Sequence, residues 1–285
     1  MNAVSKSLKM KYLYETHLHT VQGSACGSAR GRDYIRRYKD MGYTGIIVTD
    51  HFFNGNTAID RYLPWKRWVE GHCRGYEEAR QEGEKIGLDV FFGWEETFDD
   101  DDYLVYGLGK EWLLEHPEVV HWTVSRQYEE VHKYGGCVVQ AHPFRDGAYI
   151  SHIYLSPRWV DAVEAANGGN DRSFDALAMS YAKALNLPVT AGSDIHGCGQ
   201  LENGPIFGVY LDKKMETLQD YVQAIRENAI AGLQAPEDRC LLRGDEDIPG
   251  QVYIREEEDC VRRLRLGEYA AGDFSALAAG RPKTP

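Results

Sequence analysis

Tyr14–Ser24 reads YETHLHTVQGS, and two histidines, His17 and His19, flank a single Leu18 within it. Side chains alternate across a strand, so residues i and i+2 share a side. If this is the first strand, His17 and His19 face one way together while Leu18 packs into a core. Two neutral imidazoles at that separation can share one metal ion. An H-x-H triplet also arises by accident as a polar pair on an edge strand, so the rest of the chain has to decide.

Working outward, apolar β-rich runs recur with helical patterns between many of them. GIIVTDHFF (45–53) carries an apolar core that reads as a strand buried on both faces. DVFFGWEETF, YLVYGLG, CVVQAHPF, VDAVEAANG, PVTAGSDIHG and FGVYLD follow as further strand candidates. Helices are expected over RDYIRRYKDMG, over KRWVEGHCRGYEEARQEGEKIG as one long element stopped at Gly87, and around SRQYEEVHKYGG, SFDALAMSYAKALN and METLQDYVQAIRENA. Interleaved strands and helices imply βα units and a mainly parallel sheet of seven or eight strands. From about Gln234 onward the pattern weakens: RGDEDIPGQ reads as a loop, and the tail ALAAGRPKTP is expected to be disordered.

The 285 residues are 43% hydrophobic and 27% charged, ordinary for a globular chain that can bury a sizeable core. Lys plus Arg is 32 against 44 Asp plus Glu, a formal net charge of −12, which disfavours a long footprint on nucleic acid. The six cysteines are scattered with no C-x-x-C pair, the pattern of reduced thiols rather than a disulfide framework. With no signal-peptide core near the N-terminus and no membrane-length apolar run, the expected location is the cytoplasm, with no membrane partner. Oligomeric state is not legible.

Residues able to bind metal fall at one end of the apolar runs. IIVT ends in Asp50 and His51, VFFGW in Glu95 and Glu96, CVVQA in His142, and VTAGS in Asp194 with His196 two residues on. In parallel α/β folds catalytic groups sit at the C-terminal ends of strands. Singly, His51 could close a loop, Glu95 could be a solvated acid and Asp194 a helix cap, but independent accidents would not all land at strand ends. Asp50 and Glu96 read as neighbours of better candidates. A mixture of imidazole and carboxylate suits zinc, manganese or iron rather than magnesium. The set His17, His19, His51, Glu95, His142, Asp194 and His196 exceeds what one ion needs, so at least two ions are implied. A two-oxygen group must bridge them, and Glu95 is the choice.

HLHT, TDH, G-W-E, AHP and S-D-I-H, in that order over roughly residues 12 to 212, resemble the PHP (polymerase and histidinol phosphatase) family. The resemblance implies an α/β fold, a distorted (β/α)7 TIM-like barrel with its metal site at the C-terminal ends of the strands. It would occupy residues 1–233, with 234–285 as an extension packing on the barrel or partly disordered. It also implies two or three divalent ions and hydrolysis of phosphoesters. By motif match, His17 and His19 hold the first metal, Glu95 bridges first and second, His142 holds the second and His51 a third, and Asp194 and His196 serve the first and third. Two positions depart from the pattern. Ser24 and Ala25 stand where the family commonly has His or Asp, and DDYLVYG, around Leu104, lacks an expected histidine. Asp102, Tyr103, His116 and His121 lie near that second position without matching it, and Cys26 reads as a loop thiol rather than a soft ligand.

The function expected is that of a metal-dependent phosphatase on a small phosphorylated metabolite or nucleotide. A metal-bound hydroxide is the expected nucleophile, and His51 or His196 the expected proton donor to the leaving oxygen. Catalysis is thus assigned to His51, Glu95, Asp194 and His196, and Arg145, three residues after His142, is the candidate phosphate clamp. Arg30 and Arg32 are weaker candidates for that clamp. Glu164 and Asn167 are expected to support the site rather than ligate. His72, His116, His121, His132 and His152 are read as non-ligands. Two alternatives stand beside the phosphatase: a nuclease or phosphodiesterase acting on nucleic-acid ends or oligonucleotides, and a non-catalytic metal-binding accessory module.

Overall fold

A computed structural model describes residues 11–148, 150–247, 251–257, 260–264 and 274. The elements run β1 (Tyr12–Glu15), α1 (Gly31–Asp40), β2 (Gly45–Val48), α2 (Trp65–His72), α3 (Arg74–Ile86), β3 (Asp89–Phe92), β4 (Trp94–Phe98), β5 (Asp101–Tyr106) and α4 (Lys110–Glu115). After a 3-10 turn at Pro117–His121 come α5 (Val124–Lys133), β6 (Cys137–Gln140), β7 (Ile153–Leu155), β8 (Ala162–Asn167), α6 (Arg172–Ala184), β9 (Val189–Gly192) and α7 (Gln200–Asn203). The chain then forms β10 (Gly208–Leu211), α8 (Leu218–Arg226), β11 (Gly232–Gln234), β12 (Val252–Glu257) and β13 (Cys260–Leu264).

The fold is α/β, as expected, but its strands do not form a continuous closed barrel among the described residues. They form two five-stranded sheets, ordered β11-β10-β1-β2-β3 and β4-β5-β6-β8-β9, and a three-stranded sheet β13-β12-β7. The sheets are mixed rather than mainly parallel. β10 runs antiparallel to both β1 and β11, and β5 to both β4 and β6, while β1-β2-β3 and β6-β8-β9 are parallel. The physical reason lies at Gly93. There the chain leaves β3 and enters β4, which folds straight back as a hairpin onto β5, so its ladder belongs to the second sheet. A Cβ at Gly93 would lie 2.8 Å from the Val105 carbonyl oxygen, so the crossing is too tight for a larger residue.

Two isolated parallel bridges join the five-stranded sheets, Leu18 with Ile195 and His51 with Glu95. Leu18, Ile195 and His51 lie just past the C-terminal ends of β1, β9 and β2, and Glu95 lies in β4. The first is carried by the His19 amide donating to the Ile195 carbonyl at 2.9 Å. The second is carried by Phe52 donating to Glu95 at 2.7 Å and Glu95 to Asp50 at 3.1 Å. His17 and His19 therefore follow β1 rather than lie within it, while Leu18 between them is fully buried.

The helix expected over 66–87 is two helices meeting at Cys73, which ends α2 and starts α3. The break lets Gly75 press against Thr20, where a Cβ would collide with the threonine hydroxyl. Gly87 closes α3 in the left-handed region at φ 74°, as a stop glycine should. Beyond residue 234, β12 pairs in parallel with β7, so the segment that reads as patternless adds a strand to the body. The tail ALAAGRPKTP lies outside the described residues. Among the described residues no helix is long and apolar enough to cross a membrane.

Candidate metal centre

The residues that close the seams between the sheets also carry the candidate ligands. All seven expected residues converge, and they do so as overlapping triads: His17 with His19 and Asp194, His17 with Glu95 and His142, and His19 with His51 and His196. His51, Glu95 and Asp102 form a fourth group. His17, His19, Glu95, His142 and Asp194 are buried; the His51 and His196 side chains are 12% and 27% exposed and form the mouth.

Backing hydrogen bonds orient the imidazoles. His17 Nδ1 lies 3.0 Å from Glu164 Oε1, and the same carboxylate accepts from the His142 amide and from Asn167 Nδ2. His19 Nδ1 lies 3.0 Å from Ser24 Oγ, which donates in turn to Asp50 at 2.7 Å. A ring whose Nδ1–H donates to such a partner presents a lone pair at Nε2, the arrangement that metal-ligating histidines use. The two Nε2 atoms sit 3.1 Å apart. His17 Nε2 is 3.1 Å from Glu95 Oε1 and 3.5 Å from Asp194 Oδ1. His19 Nε2 is 3.4 Å from Glu95 Oε2 and 3.1 Å from Asp194 Oδ1. A tetrahedron with metal–ligand bonds of ~2.0 Å has edges of roughly 3.3 Å. The donors present therefore fit a metal ion in both chemistry and spacing.

Glu95 reaches in three further directions. Its Oε1 is 3.2 Å from His142 Nε2 and its Oε2 is 2.8 Å from His51 Nδ1. Neither that oxygen nor that nitrogen has an aligned hydrogen-bond partner among the described residues. Asp102 Oδ2 lies 3.7 Å from His142 Nε2. The β4–β5 hairpin places it there, with Thr97 Oγ1 donating to its other oxygen at 2.5 Å. Asp102 was only one of several poor matches by motif. The signal that would have singled it out is its position opposite Thr97, two residues past Glu95, which pairing register reveals and linear spacing does not.

Electrostatics follow from burying so many charges together. Burial opposes the Glu95 charge, yet His17 and His51 outweigh it and hold the carboxyl well below its usual range. Asp194 is likewise held down against burial by Arg145 and His17. Burial lowers His19 to about 3, reinforced by His51, so its ring is neutral and free to donate an electron pair. Burial would raise the Cys26 thiol, but hydrogen bonds with His196 and His51 bring it down to about 6. Strain accompanies the site: His142 and Asp194 both hold positive φ, 26° and 50°, in a region non-glycine residues rarely occupy. Gly192 lets the strands close up, since a Cβ there would lie 2.5 Å from the His17 Cβ.

The remaining expected residues fall as follows. Arg145 reaches the centre, but its guanidinium pairs with Asp194 at 2.6 Å and is held by Asn167 at 2.9 Å and Asn170 at 2.8 Å. Asp50 accepts from Thr20 and Ser24, and Glu96 from Asn54 and Thr97, so both brace loops beside the ligands. Arg30 pairs with Glu78, and Arg32 lies near Asp33, both outside the cluster. His116 pairs with Glu118 and His132 with Asp161, while His152 sits against Tyr154 and Tyr253. Sequence reasoning missed Glu15. Fully buried, it accepts from the amides of Thr16, His17 and Ser193 and from Tyr38, and so ties the end of β1 to the end of β9. An acid inside the apolar run YLYE was the available clue. Arg239 was missed as well. It pairs with Asp175 at 2.6 Å and donates to the Asn167 carbonyl, bracing the loop that holds Arg145.

No protein-family model matches this sequence, and no curated protein matches it either. Solved structures do. A two-domain protein containing a predicted PHP-like metal-dependent phosphoesterase from Bacteroides vulgatus aligns with a TM-score of 0.54 at 16% identity, over 76% of this chain and 64% of that one. A putative metal-dependent phosphoesterase from Bifidobacterium adolescentis aligns at 0.46 and 18% identity, over 76% of this chain and 96% of that one. PsfC from Pseudomonas syringae aligns at 0.49 and 16%, over 76% and 94%. This chain thus spans somewhat less than two thirds of the Bacteroides vulgatus protein, and it shares the α/β fold of that structure.

Proposed function

We propose that the protein is a metal-dependent phosphoester hydrolase acting on a small phosphorylated metabolite or nucleotide, with two or three divalent ions of zinc, manganese or iron. The observation that carries this reading is the triangle of His17 Nε2, His19 Nε2 and Asp194 Oδ1, with sides of 3.1 to 3.5 Å that match the edges of a tetrahedral donor set, and the Glu95 oxygens 3.1 and 3.4 Å from the two rings. Those four would hold the first ion. Glu95 with His142 and Asp102 would hold a second, and His51 with His196 a third. Ions in such a site neutralise charge on phosphoryl oxygens and lower the pKa of water toward neutrality.

The chain's own residues do the rest. Glu164 and Ser24 fix the ring orientation of His17 and His19, so no reorganisation is needed as charge develops. Arg145, paired with Asp194, puts a positive charge at the edge of the site where a phosphate would bind. His196 donates through Nδ1 to the Asp194 carbonyl at 2.8 Å, which leaves Nε2 as the atom that would hold the third ion or, where only two ions bind, pass a proton to a leaving oxygen. We further infer that the two sheets are halves of a barrel opened at its seams, with residues 234–285 as an extension on it, and that the protein works in the cytoplasm. The net charge of −12 supports a small substrate over long nucleic acid.

Elemental analysis of purified protein, paired with assays on p-nitrophenyl phosphate and bis-p-nitrophenyl phosphate with added Mn²⁺ or Zn²⁺, tests this reading. Two or more ions per chain with monoester hydrolysis is the expected outcome. Preference for the diester would shift the reading to a phosphodiesterase. Bound ions without hydrolysis of either ester would leave a metal-binding accessory module.

A further inference from the structure

A cavity of about 350 Å³ adjoins the metal centre but is lined by none of its candidate ligands. One wall is the end of β4. Thr97 lines the cavity there and hydrogen-bonds Asp102, a member of the group formed with His51 and Glu95. Gly55 lies between cavity and centre: a Cβ on it would be 2.7 Å from Thr97 Oγ1 and 3.3 Å from His51 Nδ1. A second wall is the start of α5, at Thr123, Val124 and Ser125. Thr123 caps this helix by accepting from the Arg126 amide at 3.3 Å. The amides of Val124 and Ser125 meet no acceptor among the described residues, and no acid in the first turn offsets the helix dipole. A third wall is Arg255 of β12, which is 7% exposed and sits at a register irregularity in the β12–β13 ladder. Its Nη2 donates to Asp99 at 3.0 Å, and its guanidinium lies 4.8 Å from the centre of the Tyr154 ring. Its Nε is buried and has no partner among the described residues. A buried donor on a charged group is costly to leave unpaired.

We propose that this cavity receives a carboxylate carried by the organic part of the phosphoester, and that Arg255 with the free end of α5 selects it. The inference rests on the hydrolase reading above and deepens it: the substrate is a phosphorylated acid, with its phosphate at the metal centre and its carboxylate in the cavity. One cationic nitrogen and two free helix amides make a donor set for an anion. Asp99 already offsets part of the guanidinium charge, and Asp100, Asp101 and Asp102 follow on the same hairpin. That field suits the single charge of a carboxylate better than the nearly double charge of a second phosphate. Phe98 and Trp122 add apolar lining against which a short carbon chain can lie. Since Arg255 comes from beyond residue 234, the segment that reads as patternless carries a specificity-determining residue.

The test titrates the full chain, loaded with Mn²⁺, with non-hydrolysable ω-carboxyalkyl phosphonates of increasing chain length and with the matching ω-hydroxyalkyl phosphonates, read by calorimetry. At one chain length the carboxylate should bind at least ~10-fold tighter than the hydroxyl compound, and Arg255→Gln and Ser125→Asp should each erase that preference. Ser125→Asp guards against a merely misfolded Arg255 variant, because an acid in the first turn favours the helix while repelling an anion. Hydrolysis of p-nitrophenyl phosphate, which has no carboxylate, should be unchanged in both. No preference at any chain length, a preference that survives either substitution, or tighter and equally Arg255-dependent binding of an alkane bisphosphonate would overturn the carboxylate pocket and leave the hydrolase reading standing. A preference erased in both variants, with no p-nitrophenyl phosphate hydrolysis by any protein, would overturn the hydrolase reading alone.

Discussion

His19 and His72 are both wholly buried and both pushed down to a pKa of about 3, by burial first and by His51 second, yet their immediate partners differ. His19 sits among His17, His51 and His196, with Ser24 on one ring nitrogen and Glu95 and Asp194 near the other. His72 is stacked on Trp68 with ring centroids 5.1 Å apart, edge-on to Phe52 and Phe92, and neither of its nitrogens has a partner among the described residues. In the first case the protein keeps a ring neutral so that its lone pair can be used. In the second the ring is neutral because an aromatic core will not take a charge. The lesson is that a depressed histidine marks a site only when its nitrogens are aimed at something.

The comparison can be broken most decisively at Glu95, which touches His17, His19, His51 and His142. Glu95→Ala should abolish ester hydrolysis and lower the metal content by at least one ion per chain; unchanged metal content would show that the cluster is not the centre. The next effect is indirect. Glu164→Gln keeps the shape but weakens the acceptor behind His17, and should reduce metal affinity by ~10–100-fold in competition with a chromophoric chelator. Affinity within twofold of the parent would mean that His17 needs no such backing.

The smallest effect belongs to His72. Its folded pKa lies near 3 against an ordinary 6.5, so the unfolded chain gains a proton that the folded chain refuses. Stability from this residue is therefore intact above pH ~6.5 and is lost as pH falls from there toward ~3. His72→Phe should remove that slope, stabilising the protein by about 1–2 kcal/mol more at pH 5 than at pH 8 in denaturant melts. An equal change at both pH values would mean that His72 finds a partner for its proton.

Much of this contrast was legible without coordinates. His17, His51, Glu95, His142 and Asp194 stood out because each ends an apolar run, and strand ends are where α/β folds gather their chemistry. His72 was read as a non-ligand because it lies on a helical pattern, and no metal-capable group among the described residues includes it. What could not be read was anything set by pairing between distant strands. Asp102 reaches His142 only because the β4–β5 register carries it there, and the hairpin that opens the expected barrel follows from a close approach at Gly93. Glu15 and Arg239 escaped for the same reason: their partners are 178 and 64 residues away in the chain. Strand count failed: the described residues hold thirteen strands against the seven or eight expected. Strand direction failed because DVFFGWEETF reads as one run, whereas β3 and β4 part at Gly93 and β4 pairs antiparallel with β5.

The two single-residue bridges, at Leu18 with Ile195 and His51 with Glu95, give the site a mechanical meaning. Among the described residues the sheets have no ladder between them there, only these stitches and the side chains that lean across. Three mutually repelling acids, Glu95, Asp102 and Asp194, and five imidazoles are packed on that line, so whatever neutralises them also fastens one half of the molecule to the other. Chelation should then act as a local denaturant. Amides at the stitches, His19 and Phe52 above all, should exchange with deuterium sooner than those in the middle of β2 or β6, and a cation should work as a buckle long before it works as a catalyst.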